Sequence, residues 1–145
     1  MDIRQYILTT FSFISKTIGR RAKHIGVSSG QPKVLDYLIE HDGCSQSDIA
    51  RGCGLEASTL TPILDGMEKA GYIERKREDG DRRTYHIFLT VLGKEKSAQV
   101  IALFKRLEDD ILEGLSPEER AEFQRMLKLV HDNSKRIFLK VPSEK

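Results

Sequence analysis

The sequence has no tryptophan, only two cysteines and only four prolines among its 145 residues. Cys44 and Cys53 stand nine positions apart, without further cysteines or histidines at ligand spacing. Zinc sites and disulfide frameworks are therefore not predicted. No apolar run is long enough to cross a membrane, and no signal-peptide pattern is present. These absences predict a cytoplasmic protein without a metal, another cofactor or a membrane partner.

Motifs that support catalysis are missing as well. The chain contains no nucleophile elbow, no phosphate-binding glycine loop and no Cys–His signature. Its four histidines fall on four different predicted elements and form no metal-ligand pattern: His24, His41, His86 and His131. The sequence therefore predicts a protein that is not an enzyme.

Residues 45–70 have the pattern of two short helices joined by a tight turn. The first begins at Ser45, where the hydroxyl of Ser45 and the carboxylate of Asp48 can cap each other's backbone amides. The second helix is predicted over residues 56–70 and ends before Gly71. Its apolar side chains repeat at intervals of three and four residues and predict the side that faces the core: Leu60, Ile63, Leu64 and Met67.

The opposite side of this second helix is polar and short-chained near its amino end. Such a face suits a recognition helix that meets base edges in the major groove of DNA. We predict Ser58 and Thr61 as hydrogen-bonding readers and Pro62 as an apolar contact to a thymine methyl group. Thr59 is expected at a phosphate. Asp65 either accepts a hydrogen bond from a cytosine amine or holds a wing arginine.

After the second helix, alternating apolar residues predict two strands, over residues 72–77 and 84–89, joined by a short loop. A hairpin directly after a helix-turn-helix is a wing. Four acids also lie in this segment, so a solvated, locally neutralised loop is the alternative on charge alone. The net charge is only +2, so DNA binding must depend on where the charges lie. Basic side chains on the hairpin suit phosphates and the minor groove: Arg75, Lys76, Arg77, Arg82 and Arg83.

Amphipathic helices are predicted on both sides of this region, over residues 2–25, 91–113 and 116–139. Thr90 and Ser116 are the predicted amino-terminal caps of the second and third of these helices. The apolar stripes of the three helices exceed what a small winged core needs to cover itself. A second copy of the chain is the simplest cover, since two-fold dimers are the commonest oligomers. A monomeric helical cap is the alternative. The side chains that we expect at the dimer interface are Ile3, Ile7, Ile111, Leu115, Phe123, Leu127, Val130 and Ile137.

One tripeptide of the wing is the most specific motif in the chain. Asp81-Arg82-Arg83 is followed at fixed spacing by Leu89-Thr90 and then Gly93, and similar motifs occur at residues 31–35, 45–50, 58–64 and 67–75. From about residue 26 to residue 93 the chain thus resembles the multiple-antibiotic-resistance-regulator (MarR) family of bacterial transcription factors. The resemblance implies that Arg83 enters the minor groove and that Asp81 orients it. Gly66 departs from the family, because many members carry a basic residue there.

The resemblance implies a mainly α fold with a small β-hairpin wing, that is, a winged helix-turn-helix with amino- and carboxyl-terminal dimerisation helices. We expect one domain over residues 1–145, with a DNA-binding core at 31–90 and dimerisation helices at 1–25 and 91–140. The implied function is that of a homodimeric transcriptional regulator, most often a repressor. A winged-helix module for protein–protein interaction, with weak or non-specific DNA binding, is the alternative.

A dimer would place two recognition helices about a two-fold axis. They would read an inverted repeat in double-stranded DNA, a pseudo-palindromic operator with half-sites roughly 10 base pairs apart. Contacts from the wing and from the helix start at Ser45 and Gln46 would fix the register on the phosphate backbone. Lys69 either lies in solvent or contacts the DNA backbone.

The regulatory input is less specified by the sequence. Cys53 lies on the inward side of its helix and is predicted to be a small buried side chain. Cys44 lies in the turn between two helices and is the candidate for a thiol sensor, although no adjacent basic group lowers its pKa. The other route is a small-molecule effector that favours one spacing of the two lobes and so weakens DNA binding.

Overall fold

The computed structural model describes residues 1–77, 80–81 and 83–142. The chain divides into two compact units, Met1–Leu107 and Glu108–Lys145. Its elements are α1 (Ile3–Lys23), α2 (Gln31–Glu40), α3 (Gln46–Cys53), α4 (Ala57–Lys69), β1 (Ile73–Arg77), β2 (Tyr85–Leu89), α5 (Val91–Ile111) and α6 (Pro117–Lys140). The predicted mainly α fold with a small β-hairpin is confirmed.

Most of the buried core of the first unit lies on helices α2, α3 and α4 and on the hairpin, and Ala22 of α1 and Val100 of α5 also belong to it. The predicted inner side of α4 is confirmed, since three of its four apolar side chains are buried and Ile63 is half-buried. Burial of each large aliphatic side chain contributes roughly 2 kcal/mol. The fully buried side chains of these helices are Val34, Leu35, Leu38, Ile49, Leu60, Leu64 and Met67.

Helix α3 starts with the predicted capping pair. The Ser45 hydroxyl accepts a hydrogen bond from the Asp48 amide at 3.1 Å, and the Asp48 carboxylate accepts one from the Ser45 amide at 3.2 Å. Hydrogen bonding by Ser45 to the Asp48 carboxylate holds the pKa of this carboxyl below its usual value. The Asp48 carboxylate therefore stays ionised at neutral pH and can cap the start of α3.

The two strands pair antiparallel, from Ile73 opposite Leu89 to Arg77 opposite Tyr85. The backbone of the turn before α3 also pairs with β2, which the sequence did not predict. There the Gly43 amide donates to the Ile87 carbonyl at 2.8 Å, and the Ile87 amide donates to the Cys44 carbonyl at 2.9 Å. Backbone pairing of this kind ties the hairpin directly to the turn that precedes α3.

The start of α5 is packed against the end of the α4–β1 connection. The Thr90 hydroxyl accepts a hydrogen bond from the Gly93 amide at 2.9 Å, which confirms the predicted cap, and donates to the Gly71 carbonyl at 2.6 Å. The Thr90 amide donates to the Tyr72 carbonyl at 3.0 Å. Helix α5 therefore begins in close contact with the backbone that leads into the hairpin.

The second unit contains the end of α5 and all of α6. Helix α6 begins at the predicted cap, where the Ser116 hydroxyl accepts from the Glu119 amide at 3.1 Å. None of the residues of α6 is buried. Of the described helices, none has both the length and the apolar character that a membrane span requires.

Candidate nucleic-acid interface

Helix α4 presents the predicted polar face to solvent. Its six candidate DNA-contacting side chains are all exposed, although their contacts with DNA stay predictions. Gly66 is half-buried, and a Cβ atom there would lie 3.2 Å from Nε2 of Gln31. Gly66, the position where the sequence departs from the family, is therefore not part of this exposed face. The candidate DNA-contacting residues on the exposed face are Ser58, Thr59, Thr61, Pro62, Asp65 and Lys69.

The Thr61 hydroxyl is already engaged within the protein. It donates to the carbonyl of Ala57 at 3.0 Å and accepts a hydrogen bond from Nε2 of Gln46 at 3.2 Å. Its proton is therefore committed to the backbone of α4, and the groups that it offers outward are a methyl group and a lone pair. Gln46 at the start of α3 thus lies within hydrogen-bonding distance of the face that carries the candidate readers.

Asp65 holds an arginine of the hairpin. Its carboxylate lies 2.8 Å from Nη1 of Arg75, and the carboxylate of Glu68 lies 3.4 Å from the same nitrogen. The Arg75 side chain is only 16% exposed, although both acids are largely in solvent. Ion pairs with exposed acids contribute up to about 1 kcal/mol each, so the main consequence is orientation. Arg75 joins α4 to β1, and its own contact with DNA stays a prediction.

The far end of the hairpin carries further basic groups. The Arg77 guanidinium lies 4.3 Å from the ring centroid of Tyr85 and donates to the hydroxyl of Tyr85. Asp81 accepts a hydrogen bond from the backbone amide of Arg83 at 2.9 Å, and this bond lowers the pKa of the Asp81 carboxyl. Asp81 thereby fixes the backbone at Arg83, whose side chain is exposed. Arg82, the other predicted wing contact, lies outside the described residues.

The environment of Cys44 does not suit a reactive thiol. The residue is half-buried, and burial raises the pKa of its thiol from 9.0 to about 11, with the negative charge of Asp48 adding to the effect. The expectation that Cys44 is an exposed sensor is therefore disfavoured, because the thiolate is the reactive form. Cys53 is buried, at 6% exposure, as predicted.

We expect iodoacetamide to label Cys44 about a hundredfold more slowly than an ordinary thiol near neutral pH, because its pKa of about 11 leaves correspondingly less thiolate. The rate should rise steadily as the pH increases toward this pKa. Mass spectrometry of tryptic peptides, with glutathione as competitor in the same reaction, measures the ratio. Labelling of Cys44 as fast as glutathione would show that the thiol is activated.

Comparison with known proteins places this arrangement in a family. The MarR family model matches residues 27–85. The chain is 31% identical over 122 residues to the uncharacterised HTH-type transcriptional regulator YwhA of Bacillus subtilis, covering 84% of this chain and 88% of that protein. It is 28% identical over 120 residues to the HTH-type transcriptional repressor YetL of the same organism, covering 79% of this chain and 72% of that protein.

A solved structure shows the same fold. The S. aureus MepR–DNA complex superposes with a TM-score of 0.82 at 21% sequence identity, covering 92% of this chain and 98% of that chain. The family match, the likeness to YwhA over most of both chains and the shared fold agree with one another. This chain belongs to the MarR family of transcriptional regulators.

Proposed function

We propose that this protein is a cytoplasmic, sequence-specific repressor. As a homodimer, it binds an inverted-repeat operator in double-stranded DNA. The observation that carries the proposal is the exposed polar face of α4 beside a hairpin with exposed Arg77 and Arg83. The names of two similar proteins support it, since MepR is seen with DNA and YetL is a repressor. The test is the ratio of affinities for an operator and a scrambled duplex at one salt concentration, expected to be about 10³ or more.

The proposed contacts divide into base readers and backbone contacts. Ser58, Thr61 and Pro62 read bases from α4 in the major groove, and Gln46 reads together with Thr61 because the two side chains are hydrogen-bonded. Asp65 acts indirectly through Arg75. The phosphate and minor-groove contacts come from Ser45, Thr59, Lys69, Arg77 and Arg83.

Thr61→Ala is expected to change base preference at one position of each half-site, and Gln46→Ala is expected to change it at the same position. The physical reason is the hydrogen bond between these side chains, which makes them one contact unit. The expected change is about 1–3 kcal/mol of discrimination, measured as relative affinities for operators with single base-pair substitutions.

Lys69→Ala is the control for this pair of substitutions. It removes an exposed cation from the carboxyl end of α4 and should weaken binding uniformly across the substituted operators. Changes of preference at two unrelated positions would show that Gln46 and Thr61 do not act together.

Exposed apolar side chains support the homodimer. In the first unit, Ile3 and Ile7 are 78% and 52% exposed on α1. In the second unit, α6 exposes a stripe of four apolar side chains at helical spacing, and contiguous apolar surface on a chain in water marks an interaction site. The stripe consists of Phe123, Leu127, Val130 and Ile137. The proposed organisation is a DNA-binding core at residues 31–90 with dimerisation helices at 1–25 and 91–140.

Leu127→Glu is expected to raise the dissociation constant of the dimer at least tenfold, because it places a charge in the apolar stripe of both copies. Sedimentation equilibrium measures the change. Leu129→Glu is the matched control, since Leu129 is 55% exposed against 52% for Leu127 but lies on another side of the same helix. A monomeric wild-type protein at micromolar concentration, or equal effects of both variants, would contradict the assigned interface.

A further inference from the structure

A basic pocket of about 550 Å³ lies between the last turns of α1 and the loop that leads to α2. Its lining includes Lys16, Arg20 and Lys23 from α1, and Ser28 and Ser29 from the loop. The side chains of Lys16, Arg20, Lys23, Ser28 and Ser29 are exposed, so the pocket is open to solvent and accessible to a charged ligand. The pocket is formed entirely within the first unit and does not involve the candidate DNA-contacting residues.

All of the charged side chains that line this basic pocket are positive. Lys16, Arg20 and Lys23 follow one another at i, i+4 and i+7, so they lie on one side of α1. No acid is among the pocket's described lining residues, and none of the three cations forms an ion pair with an acid in the described part of the chain. A position near the carboxyl end of α1 accounts for cations in general, through the helix dipole. It does not account for their grouping around a concave surface.

The other groups of the pocket suit an oxyanion. The Ser28 and Ser29 hydroxyls can donate hydrogen bonds, and α2 starts at Gln31, which brings the positive end of its dipole close to this loop. A guanidinium binds phosphate oxygens in pairs, and ammonium groups add point charge. We infer that the basic pocket binds a small phosphorylated anion with two or more negative charges.

The same loop touches the DNA-binding elements. Ile63 of α4 packs on Gly30 so closely that a Cβ atom at Gly30 would lie 2.6 Å from Cδ1 of Ile63. The Tyr72 hydroxyl, next to β1, donates to the Gly26 carbonyl at 2.6 Å. An anion that shifts this loop therefore acts on α4 and the hairpin, and operator affinity changes by the ratio of anion affinities in the two states. This regulatory consequence rests on the proposed DNA-binding function, whereas anion binding itself does not.

Gly19 makes a sharp test possible. It lies in α1 and lines the pocket, its backbone is helical, and a Cβ atom there would meet nothing within 4 Å. Gly19→Glu and Gly19→Gln therefore introduce side chains of equal size that differ in charge, and both improve helix propensity. Pyrophosphate is the probe, and isothermal titration calorimetry of the full chain without DNA measures its binding at low salt.

We expect wild type and Gly19→Gln to bind pyrophosphate with affinities within about threefold of each other. Gly19→Glu should bind at least tenfold more weakly, because its carboxylate repels the anion. Arg20→Gln should also bind at least tenfold more weakly, whereas Arg106→Gln, which removes an exposed arginine from α5, should leave affinity unchanged. In the presence of operator, saturating pyrophosphate should change DNA affinity in wild type and leave Gly19→Glu unaffected.

Two results would overturn the inference: the absence of saturable pyrophosphate binding by wild type, and equal pyrophosphate binding by wild type and Gly19→Glu. If wild type binds no pyrophosphate and Gly19→Glu also loses DNA affinity and salt dependence, the pocket serves a phosphate of the DNA backbone instead. Pyrophosphate binding without any operator binding would instead contradict the proposed function and leave the pocket assignment standing.

Discussion

Arg83→Ala is expected to weaken operator binding about tenfold to a hundredfold, with a similar loss for all duplex sequences. The Arg83 side chain is exposed at the hairpin, and its backbone is held by the hydrogen bond to Asp81. In the proposed complex, Arg83 contacts phosphates and the negative potential of a narrow minor groove, which provide affinity rather than base readout. The slope of log affinity against log salt concentration should fall by about one.

Fluorescence anisotropy with labelled duplexes over a range of salt concentrations measures both quantities. Lys105→Ala is the control, because it removes the same charge from an exposed position of α5. It should leave affinity nearly unchanged and thereby separate a specific contact from the general effect of net charge. Unchanged affinity and salt slope in Arg83→Ala would show that the wing assignment is wrong.

Gly93→Ala is expected to destabilise the protein by about 3 kcal/mol or more and to lower the temperature at which operator binding is lost. A Cβ atom at Gly93 would lie only 1.9 Å from the carbonyl oxygen of Tyr72. This oxygen belongs to the backbone, so no change of side-chain rotamer can relieve the clash. It also accepts a hydrogen bond from the Thr90 amide at 3.0 Å. Either α5 or the segment entering β1 must move, and overpacking of this kind is costly.

Urea unfolding followed by circular dichroism measures the loss. Gly19→Ala is the matched control, since Gly19 is also a helical glycine but a Cβ atom there meets nothing within 4 Å. It should be neutral or stabilising by up to about 1 kcal/mol, because alanine has the higher helix propensity. A Gly93→Ala protein as stable as wild type would contradict the close packing of α5 on the α4–β1 connection.

Local features of the fold were readable from the sequence. Capping side chains at Ser45, Thr90 and Ser116 mark helix starts through bonds that span three residues, and the structure contains all three. The inner side of α4 followed from apolar periodicity, and the hairpin from alternation. These predictions succeed because each depends on residues that are close in sequence.

Contacts between distant segments were not predictable in the same way. The pairing of Gly43 and Cys44 with Ile87 depends on how the elements pack. The sequence offered a wing arginine as one of two partners for Asp65, and only the packing of α4 on β1 shows that this arginine is Arg75. Gly93 was noticed only through the family resemblance, and its physical reason is visible only in the approach to Tyr72. Backbone approaches and long-range ion pairs of this kind leave no periodic pattern in a single sequence.

The candidate interface shows the same difference between features set by local spacing and contacts set by packing. A helical wheel predicts which side of α4 faces outward, because that depends on spacing alone. It does not predict that the Thr61 proton is bonded to Ala57 or that Gln46 reaches Thr61, since those bonds depend on side-chain rotamers and on the crossing of α3 and α4. The burial that raises the pKa of the Cys44 thiol likewise comes from the surrounding fold.

Selection of bound duplexes from a random DNA pool at physiological salt, followed by sequencing, tests the central claim most directly. A dimer with two α4 helices related by a two-fold axis should enrich an inverted repeat whose half-sites are roughly 10 base pairs apart. Recovery of DNA without an enriched sequence would contradict specific recognition and indicate binding through the backbone alone. Recovery of no DNA would contradict the account altogether and favour a winged-helix module that binds another protein.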